Sequence, residues 1–443
     1  MIDLRSWREG SFDWVNRSGK LRVAAYFLLA ATLPLVLFPW GRIMFPTGHR
    51  LFLPTLIAAM LAGLGILARL WRRQVRFDWV VLPALLLLLG TLAGALANPG
   101  TARSLELVVR LALLMMLAGS IAWLAPSHRA VRITIVYLVS VVGILVVVEL
   151  IGCWQDPVRI LNVMRGLRLQ NATAFMLLVL IPFPLAAMVS GSRTLNRVVN
   201  MGMAILLIVG LFFTYSRSGI LSLGLGAVTM FLLVPRSRRK AAWMLAAVLV
   251  VSGCLVWLGP GALRSRLLST VDLTGEAHQS SNPARLVLLR IGLRIAADRP
   301  LLGIGPGRFP DVMHEYLEPG QSEQLGWPSY AHAHNQYLDA WHDGGILAVA
   351  GLVWLLVMVM ARLRKNAMDA SRPDDPMPVA ALLAFCGAIW FGLAETPMDL
   401  ELFWIILGLS LAVIRLSGPK KLPAAHLGVG QQECEQEFRT DCQ

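Results

Sequence analysis

The sequence predicts an all-α, polytopic membrane protein of about twelve transmembrane helices, with one long helical loop before the tenth. Hydrophobic residues make up 56% of the 443 residues and charged residues only 15%, which is too little charge for a soluble protein of this length. Apolar runs of about 20 residues recur along the whole chain, and each is long enough to cross the hydrocarbon core as a helix. The polar and basic segment Met1 to Arg22 precedes the first run, so no cleavable signal is expected.

Hydropathy places twelve spans along the chain. In chain order they are Val23–Trp40, Leu51–Ala68, Trp79–Ala97, Leu105–Ala125, Ile133–Trp154, Ala172–Ser190, Val198–Tyr215, Ile220–Val234, Ala241–Leu258, Gly345–Ala361, Val379–Ala394 and Leu402–Leu416. The predicted organisation is therefore nine spans with short loops over residues 1–258, a periplasmic loop domain over 259–344, three spans over 345–416 and a cytoplasmic tail over 417–443. A segment as long as 259–344 is expected to be ordered and functional rather than an idle connector.

Basic residues orient the spans. With the N-terminus in the cytoplasm, the basic clusters at 69–76, 236–240 and 362–365 all fall on that side, as the positive-inside rule requires, and the C-terminus returns there. All five lysines also lie on the cytoplasmic side, whereas the outer side is basic through arginine alone. The outer arginines are Arg159, Arg165, Arg168, Arg217, Arg264, Arg266, Arg285, Arg290, Arg294, Arg299 and Arg308. A guanidinium binds phosphate as a bidentate fork, although 35 arginines against 5 lysines also permit this split by composition alone.

Other features narrow the class of protein. The five cysteines are scattered, which indicates neither a metal knuckle nor a disulfide framework. The net charge of +14 is spread over membrane-flanking segments, which argues against nucleic acid as a partner. The glycine-rich run from Leu302 to Gly307 lacks the Lys-Ser/Thr of a phosphate-binding loop. It is better explained as a tight turn between two outer helices.

Two segments offer arginines to an anion. Arg217 stands in Tyr215-Ser216-Arg217-Ser218-Gly219 at the outer end of the seventh span, where it could reach the headgroup layer or serve as an interfacial anchor. A second helix is predicted from Ala284 to Asp298, entered through Asn282-Pro283. Arg290 shares one face with Arg294, whereas Arg285 lies on roughly the opposite face and is expected to point into a site.

A histidine cluster precedes the tenth span. His334 lies in His332-Ala333-His334-Asn335, and an imidazole titrates near neutral pH, so it can accept a hydroxyl proton. Two alternatives stay open: His332, His334 and His342 could together bind zinc, or His334 could cap the following helix. A further acidic cluster, Glu395, Asp399 and Glu401, could hold a divalent ion, orient an arginine or acceptor sugar, or be a solvated turn.

The motifs, in their order, resemble the bacterial O-antigen ligases, within the wider group that includes O-antigen polymerases. The resemblance rests on His334-Asn335 followed by Gly345-Ile346, on the Tyr215 to Gly219 motif, and on Arg285 leading to Pro300-Leu301-Leu302-Gly303-Ile304-Gly305. It implies transfer of a polysaccharide from undecaprenyl diphosphate to a sugar of lipid A–core at the periplasmic face of the bacterial inner membrane. It implies His334 as catalytic residue and Arg217 and Arg285 as diphosphate ligands, with no metal and no other cofactor.

Four further residues are predicted substrate contacts: Arg168, Arg290, Asn335 and Tyr215. Membrane lipids complete the expected partners. An O-antigen polymerase, which uses a growing chain as acceptor, is the first alternative. A lipid-linked oligosaccharide flippase is the alternative from another class, but it would need ionisable residues along a central cavity, whereas here they gather at the outer face.

Overall fold

Apolar helices account for most of the computed structural model of the chain. It describes residues 19–37, 42–44, 50–52, 54–62, 79–98, 102–155, 170–190, 194–235, 238–258, 261, 282–321, 332–369 and 375–417. The helices are α1 (19–32), α2 (54–62), α3 (Val81–Ala97), α4 (Ala102–Leu124), α5 (His128–Gln155), α6 (Gln170–Leu180), α7 (Pro182–Ser190), α8 (Thr194–Phe213), α9 (Arg217–Leu233), α10 (Arg238–Leu258), α11 (Asn282–Asp298), α12 (Phe309–Val312), α13 (Gln336–Ala367), α14 (Met377–Phe391) and α15 (Glu401–Ser417). Short 3-10 turns follow α1, α12 and α14, at Leu33–Leu37, Met313–Tyr316 and Pro397–Asp399.

The helical fold class is confirmed, with one addition. Strands β1 (Arg42–Met44) and β2 (Arg50–Phe52) pair antiparallel, with Ile43 opposite Leu51. Strand β2 overlaps the start of the predicted second span at Leu51 and Phe52, before α2 begins.

Five described stretches are long and apolar enough to cross a membrane. They are Arg103–Leu124, His128–Cys153, Gln170–Met188, Thr194–Phe213 and Gln336–Ala367. Three shorter apolar helices, α3, α9 and α14, supplement them. The count of twelve spans and their sidedness remain predictions.

Two apolar cores hold the fold together. The larger joins the bundle helices, with Phe175, Phe385 and Trp404 fully enclosed. The smaller lies between α11, the segment 304–317 and the start of α13, where Leu288, Ile295 and Met313 are completely buried. This second core fixes α11 against the residues that lead into α13, and so it determines where Arg285 and His334 lie relative to each other.

Helix α13 begins nine residues before the predicted tenth span. Its N-cap is Asn335, whose side chain accepts hydrogen bonds from the backbone N–H groups of Tyr337 and Leu338 at 3.0 and 3.1 Å. The helix then kinks at Gly344 and Gly345, and Gly345 has φ 66°, ψ −158°, a conformation open almost only to glycine. The predicted boundary at Gly345 is therefore a kink within one long helix rather than the start of a helix.

The kink is held by the glycine-rich turn predicted from Leu302 to Gly307. The N–H of Ile304 donates to the carbonyl of His342 at 2.7 Å, and the N–H of Ile346 donates to the carbonyl of Pro300 at 2.9 Å. Gly303, with φ 65°, packs so closely on the His342 carbonyl that no side chain would fit. The prediction of a tight turn between two helices, here α11 and α12, is confirmed.

Candidate functional site

A polar cavity of about 220 Å³ lies where three helices begin. Each of α6, α9 and α11 contributes residues of its first turns to the lining, and the residue two positions before α13 completes it. The lining residues are Gln170, Asn171, Tyr215, Ser216, Arg217, Ser218, Ala284, Arg285, Leu288 and His334. Since helix N-termini present unsatisfied N–H groups and the positive end of the helix dipole, their convergence favours an anion in this cavity.

Glu395 ties three of the lining side chains together from behind. It is 6% exposed, and its Oε1 accepts hydrogen bonds from Arg285 Nη2 and Asn171 Nδ2. Its Oε2 lies 3.1 Å from Nδ1 of His334. One carboxylate thus positions a guanidinium, an amide and an imidazole that come from α11, α6 and the approach to α13.

His334 is held in an orientation that suits a base. Because a carboxylate only accepts hydrogen bonds, a neutral His334 that donates a hydrogen bond to Glu395 carries its proton on Nδ1 and its lone pair on Nε2. The backbone of His334 has φ 54°, an unusual conformation for a residue with a side chain. Such conformations persist where the surrounding structure enforces them.

The surrounding structure here is a hydrogen-bonded clasp around buried Asp339. Its Oδ1 accepts from the N–H of Ala333 at 2.9 Å, and its Oδ2 accepts from the hydroxyl of Thr396. Thr396 Oγ1 also lies 3.3 Å from Nδ1 of His332. Asp339 therefore joins the residue before His334 to the residue after Glu395, which sets the spacing between the imidazole and the carboxylate.

Arg217 enters the cavity from the first turn of α9. Ser216 caps this helix by accepting from the N–H of Gly219 at 3.4 Å, and its hydroxyl donates to Asn171 Oδ1 at 2.9 Å. Arg217 is only 8% exposed, so its charge lies in a partly desolvated place where a guanidinium interacts more strongly with an anion than it would in water. Tyr215, with φ 54°, precedes this cap and also lines the cavity.

Two of the remaining predicted contacts, Arg290 and Asn335, do not line the cavity. Arg290 is exposed on α11 and is not part of the cavity lining. Asn335 caps α13 and donates to the carbonyl of Leu393 at 3.2 Å, so its side chain is used structurally, and the capping role considered for His334 belongs to its neighbour. Arg168 lies outside the described residues.

The predicted acidic cluster divides between two places. Glu395 serves the cavity, whereas buried Glu401 lies 3.6 Å from Arg110 of α4, which also donates to the carbonyl of Asp399 at 2.6 Å. The alternative in which an acidic residue orients an arginine fits Glu395 and Arg285.

The zinc alternative needs His332, His334 and His342 together. His342 Nε2 lies 2.9 Å from the carbonyl of Gly292, and its ring stacks on Phe309, which commits it to the smaller core. Across the part of the chain that the structure describes, no group of three His, Cys, Asp or Glu side chains is placed to hold a metal ion.

Gln170 and Asn171 had no role predicted from the sequence, and Glu395 was predicted only as one member of an acidic cluster with several possible roles. Gln170 and Asn171 form a polar pair directly before the apolar run Ala172–Ser190, and Glu395 directly follows the run Val379–Ala394. A polar residue at the end of a span was the available signal in both cases. It did not indicate which of the many span ends would meet.

Comparison with known proteins agrees with the motifs. A family model described as O-antigen ligase matches residues 202–353, which confirms the resemblance drawn from the sequence. Arg217, Arg285 and His334 fall inside the matched segment, whereas Asn171 and Glu395 fall outside it. No curated protein matches the chain.

Proposed function

We propose, from the match of residues 202–353 to a family model described as O-antigen ligase, that this chain is a membrane glycosyltransferase that ligates O-antigen polysaccharide to lipid A–core. The donor in this proposal is the polysaccharide on undecaprenyl diphosphate, and the reaction takes place at the periplasmic face of the bacterial inner membrane. The observation that carries the proposal is the meeting of two arginines, three helix N-termini and a carboxylate-bound histidine around one cavity.

The cavity chemistry matches a lipid diphosphate. Arg217 and Arg285 both bring a guanidinium to the cavity lining, Arg285 pairs with Glu395, and the three helix starts add partial positive charge. Charge that develops on a departing diphosphate is stabilised by preorganised donors of this kind. A diphosphate is already a good leaving group, so the site needs only to stabilise that charge, accept one proton and align both substrates.

The proposed step is a direct displacement. His334 Nε2 removes the proton from an acceptor sugar hydroxyl as that oxygen forms a bond to the anomeric carbon of the donor. The bond from this carbon to the diphosphate oxygen breaks, and its electron pair stays on the diphosphate against Arg217 and Arg285. The proton remains on His334, where Glu395 stabilises the imidazolium. A single displacement inverts the anomeric configuration, which NMR of the product linkage reports.

The test is transfer by the purified protein in vesicles. Lipid-linked polysaccharide and lipid A–core are supplied in buffer with EDTA, and products are separated on a gel. We expect a ladder on lipid A–core that disappears with His334→Ala, since loss of a general base lowers rates by about 10²–10⁴-fold. His314→Ala is the matched control, because His314 is an exposed histidine that also lies between residues 259 and 344 but does not line the cavity.

Three outcomes would contradict the proposal. Normal transfer by His334→Ala would remove the proposed base. Extension of the donor chain without transfer to lipid A–core would indicate a polymerase. Loss of activity in EDTA, with recovery on adding zinc or manganese, would indicate that a metal ion takes part.

A further inference from the structure

Helix α11 has a second apolar face that the described part of the chain leaves partly exposed. Its first apolar face, which includes Val287, Leu288, Ile291 and Ile295, is buried in the smaller core. On the other side Leu286, Leu289 and Leu293 are 41%, 37% and 53% exposed. A helix that met water on this side would carry polar residues there instead of three leucines.

The three leucines form a narrow strip beside the cavity. At about 100° per residue they fall within an arc of roughly 60° on the helix surface. Arg285, which lines the cavity, borders the strip on one side, and exposed Arg290 borders it on the other. An apolar strip edged by arginines is the pattern of a helix that lies in a lipid–water interface.

The strip continues towards the apolar surface of a membrane-spanning helix. Leu301 and Leu302, in the turn after α11, are 69% and 41% exposed, and Ile346 and Leu347 of α13 are 43% and 45% exposed. The hydrogen bond from Ile346 N–H to the carbonyl of Pro300 joins the two pairs. Ile346 and Leu347 belong to a stretch long and apolar enough to cross a membrane. The same lipid that surrounds them is therefore within reach of α11.

We propose that α11 lies on the bilayer surface, with Leu286, Leu289 and Leu293 among the acyl chains and Arg290 on anionic lipid headgroups. This placement puts Arg285 and the cavity mouth at the depth of the headgroups. A diphosphate anchored by its own lipid tail then reaches Arg285 by lateral diffusion and does not have to leave the membrane. The placement of α11 does not depend on the transfer reaction.

The test is the depth of a nitroxide label on single-cysteine variants in vesicles. The native cysteines are first replaced, and that background is shown to give the same elution profile as the unaltered chain. Labels at Leu286→Cys and Leu289→Cys are compared with one at Glu315→Cys, an exposed position on the 3-10 turn after α12. For the two leucine positions we expect a severalfold higher ratio of collisions with oxygen, which partitions into lipid, to collisions with a water-soluble nickel chelate.

Lipid composition tests the charged edge. We expect the Leu289 label to lie deeper in vesicles that contain phosphatidylglycerol than in pure phosphatidylcholine, and Arg290→Gln to remove that difference. Equal nickel collisions at Leu289 and Glu315 would overturn the proposal, because the strip would then face water. Protection of the label from both reagents, or spin–spin broadening between labels, would also overturn it, because a protein surface or a second copy of the chain would then cover the strip.

Discussion

Glu395→Gln tests whether one buried carboxylate organises the site. The substitution keeps the shape of the side chain but removes the charge that faces Arg285 and His334. A glutamine amide can also present its N–H₂ to Nδ1 of His334. The imidazole would then take the opposite tautomer and carry its proton on Nε2, where it could no longer accept one from a hydroxyl.

The structure sets the size of the effect. Unit charges 3.1 Å apart attract by about 5 kcal/mol at an effective dielectric constant of about 20. The His334 side chain is 24% exposed, so solvent reduces the stabilisation of its imidazolium to about half that value, roughly 2–3 kcal/mol. A barrier higher by this amount slows transfer by about a hundredfold.

The assay measures kcat and the KM for the lipid-linked donor at saturating lipid A–core. Glu318→Gln is the matched control. Glu318 pairs with Arg294 on the exposed surface, outside the cavity, so its loss removes an arginine–glutamate pair without touching the site. We expect Glu395→Gln to lower kcat strongly and Glu318→Gln to leave it unchanged. Equal rates for the two variants, with both folded by circular dichroism, would refute the role of Glu395.

Three more substitutions probe the site and the fold. Arg285→Lys should raise the KM for the lipid-linked donor, because a single ammonium cannot replace a guanidinium fork. Arg290→Lys should leave that KM unchanged. Equal KM values for the two variants would argue against Arg285 as a diphosphate ligand. Asp339→Asn should lower kcat more than it changes the KM for the donor, since it weakens the clasp around position 339. A buried hydrogen-bonding group that loses its partner costs about 1–3 kcal/mol. An unaltered kcat would show that the clasp does not contribute to catalysis. Gly345→Ala should lower the thermal unfolding temperature in detergent, because its backbone conformation alone costs a residue with a side chain about 1–3 kcal/mol and its surroundings leave no room. Gly119→Ala, inside α4 with open space around it, should leave that temperature unchanged or raise it slightly, because alanine favours a helix more than glycine does. Similar midpoints for the two variants would contradict the account of the kink.

The start of α13 and the two strands differ from the prediction. Helix α13 starts at Gln336 and not at Gly345, because Asn335 supplies a cap and the kink is stabilised by hydrogen bonds from a turn more than 30 residues earlier in the chain. Hydropathy registers the apolar residues after Gly345 but not a capped polar turn before it. Strands β1 and β2 were not predicted. Leu51 and Phe52 belong to the apolar run assigned to the second span, and hydropathy does not distinguish a strand from a helix over so few residues.

Local sequence alone determined that this chain is helical and apolar and that Arg285 leaves α11 on a different side from Arg290. It also placed an arginine and a histidine that are capable of binding an anion and accepting a proton at the ends of apolar runs. These properties follow from composition and helical periodicity, which neighbouring residues set. Only the tertiary structure decided that Asn171, Arg217, Arg285 and His334 share one cavity. It also decided that Glu395, rather than Asp399 or Glu401, contacts Asn171, Arg285 and His334. Such contacts join residues as many as 224 positions apart. The packing of whole helices brings these residues within hydrogen-bonding distance, and no local sequence pattern encodes that packing.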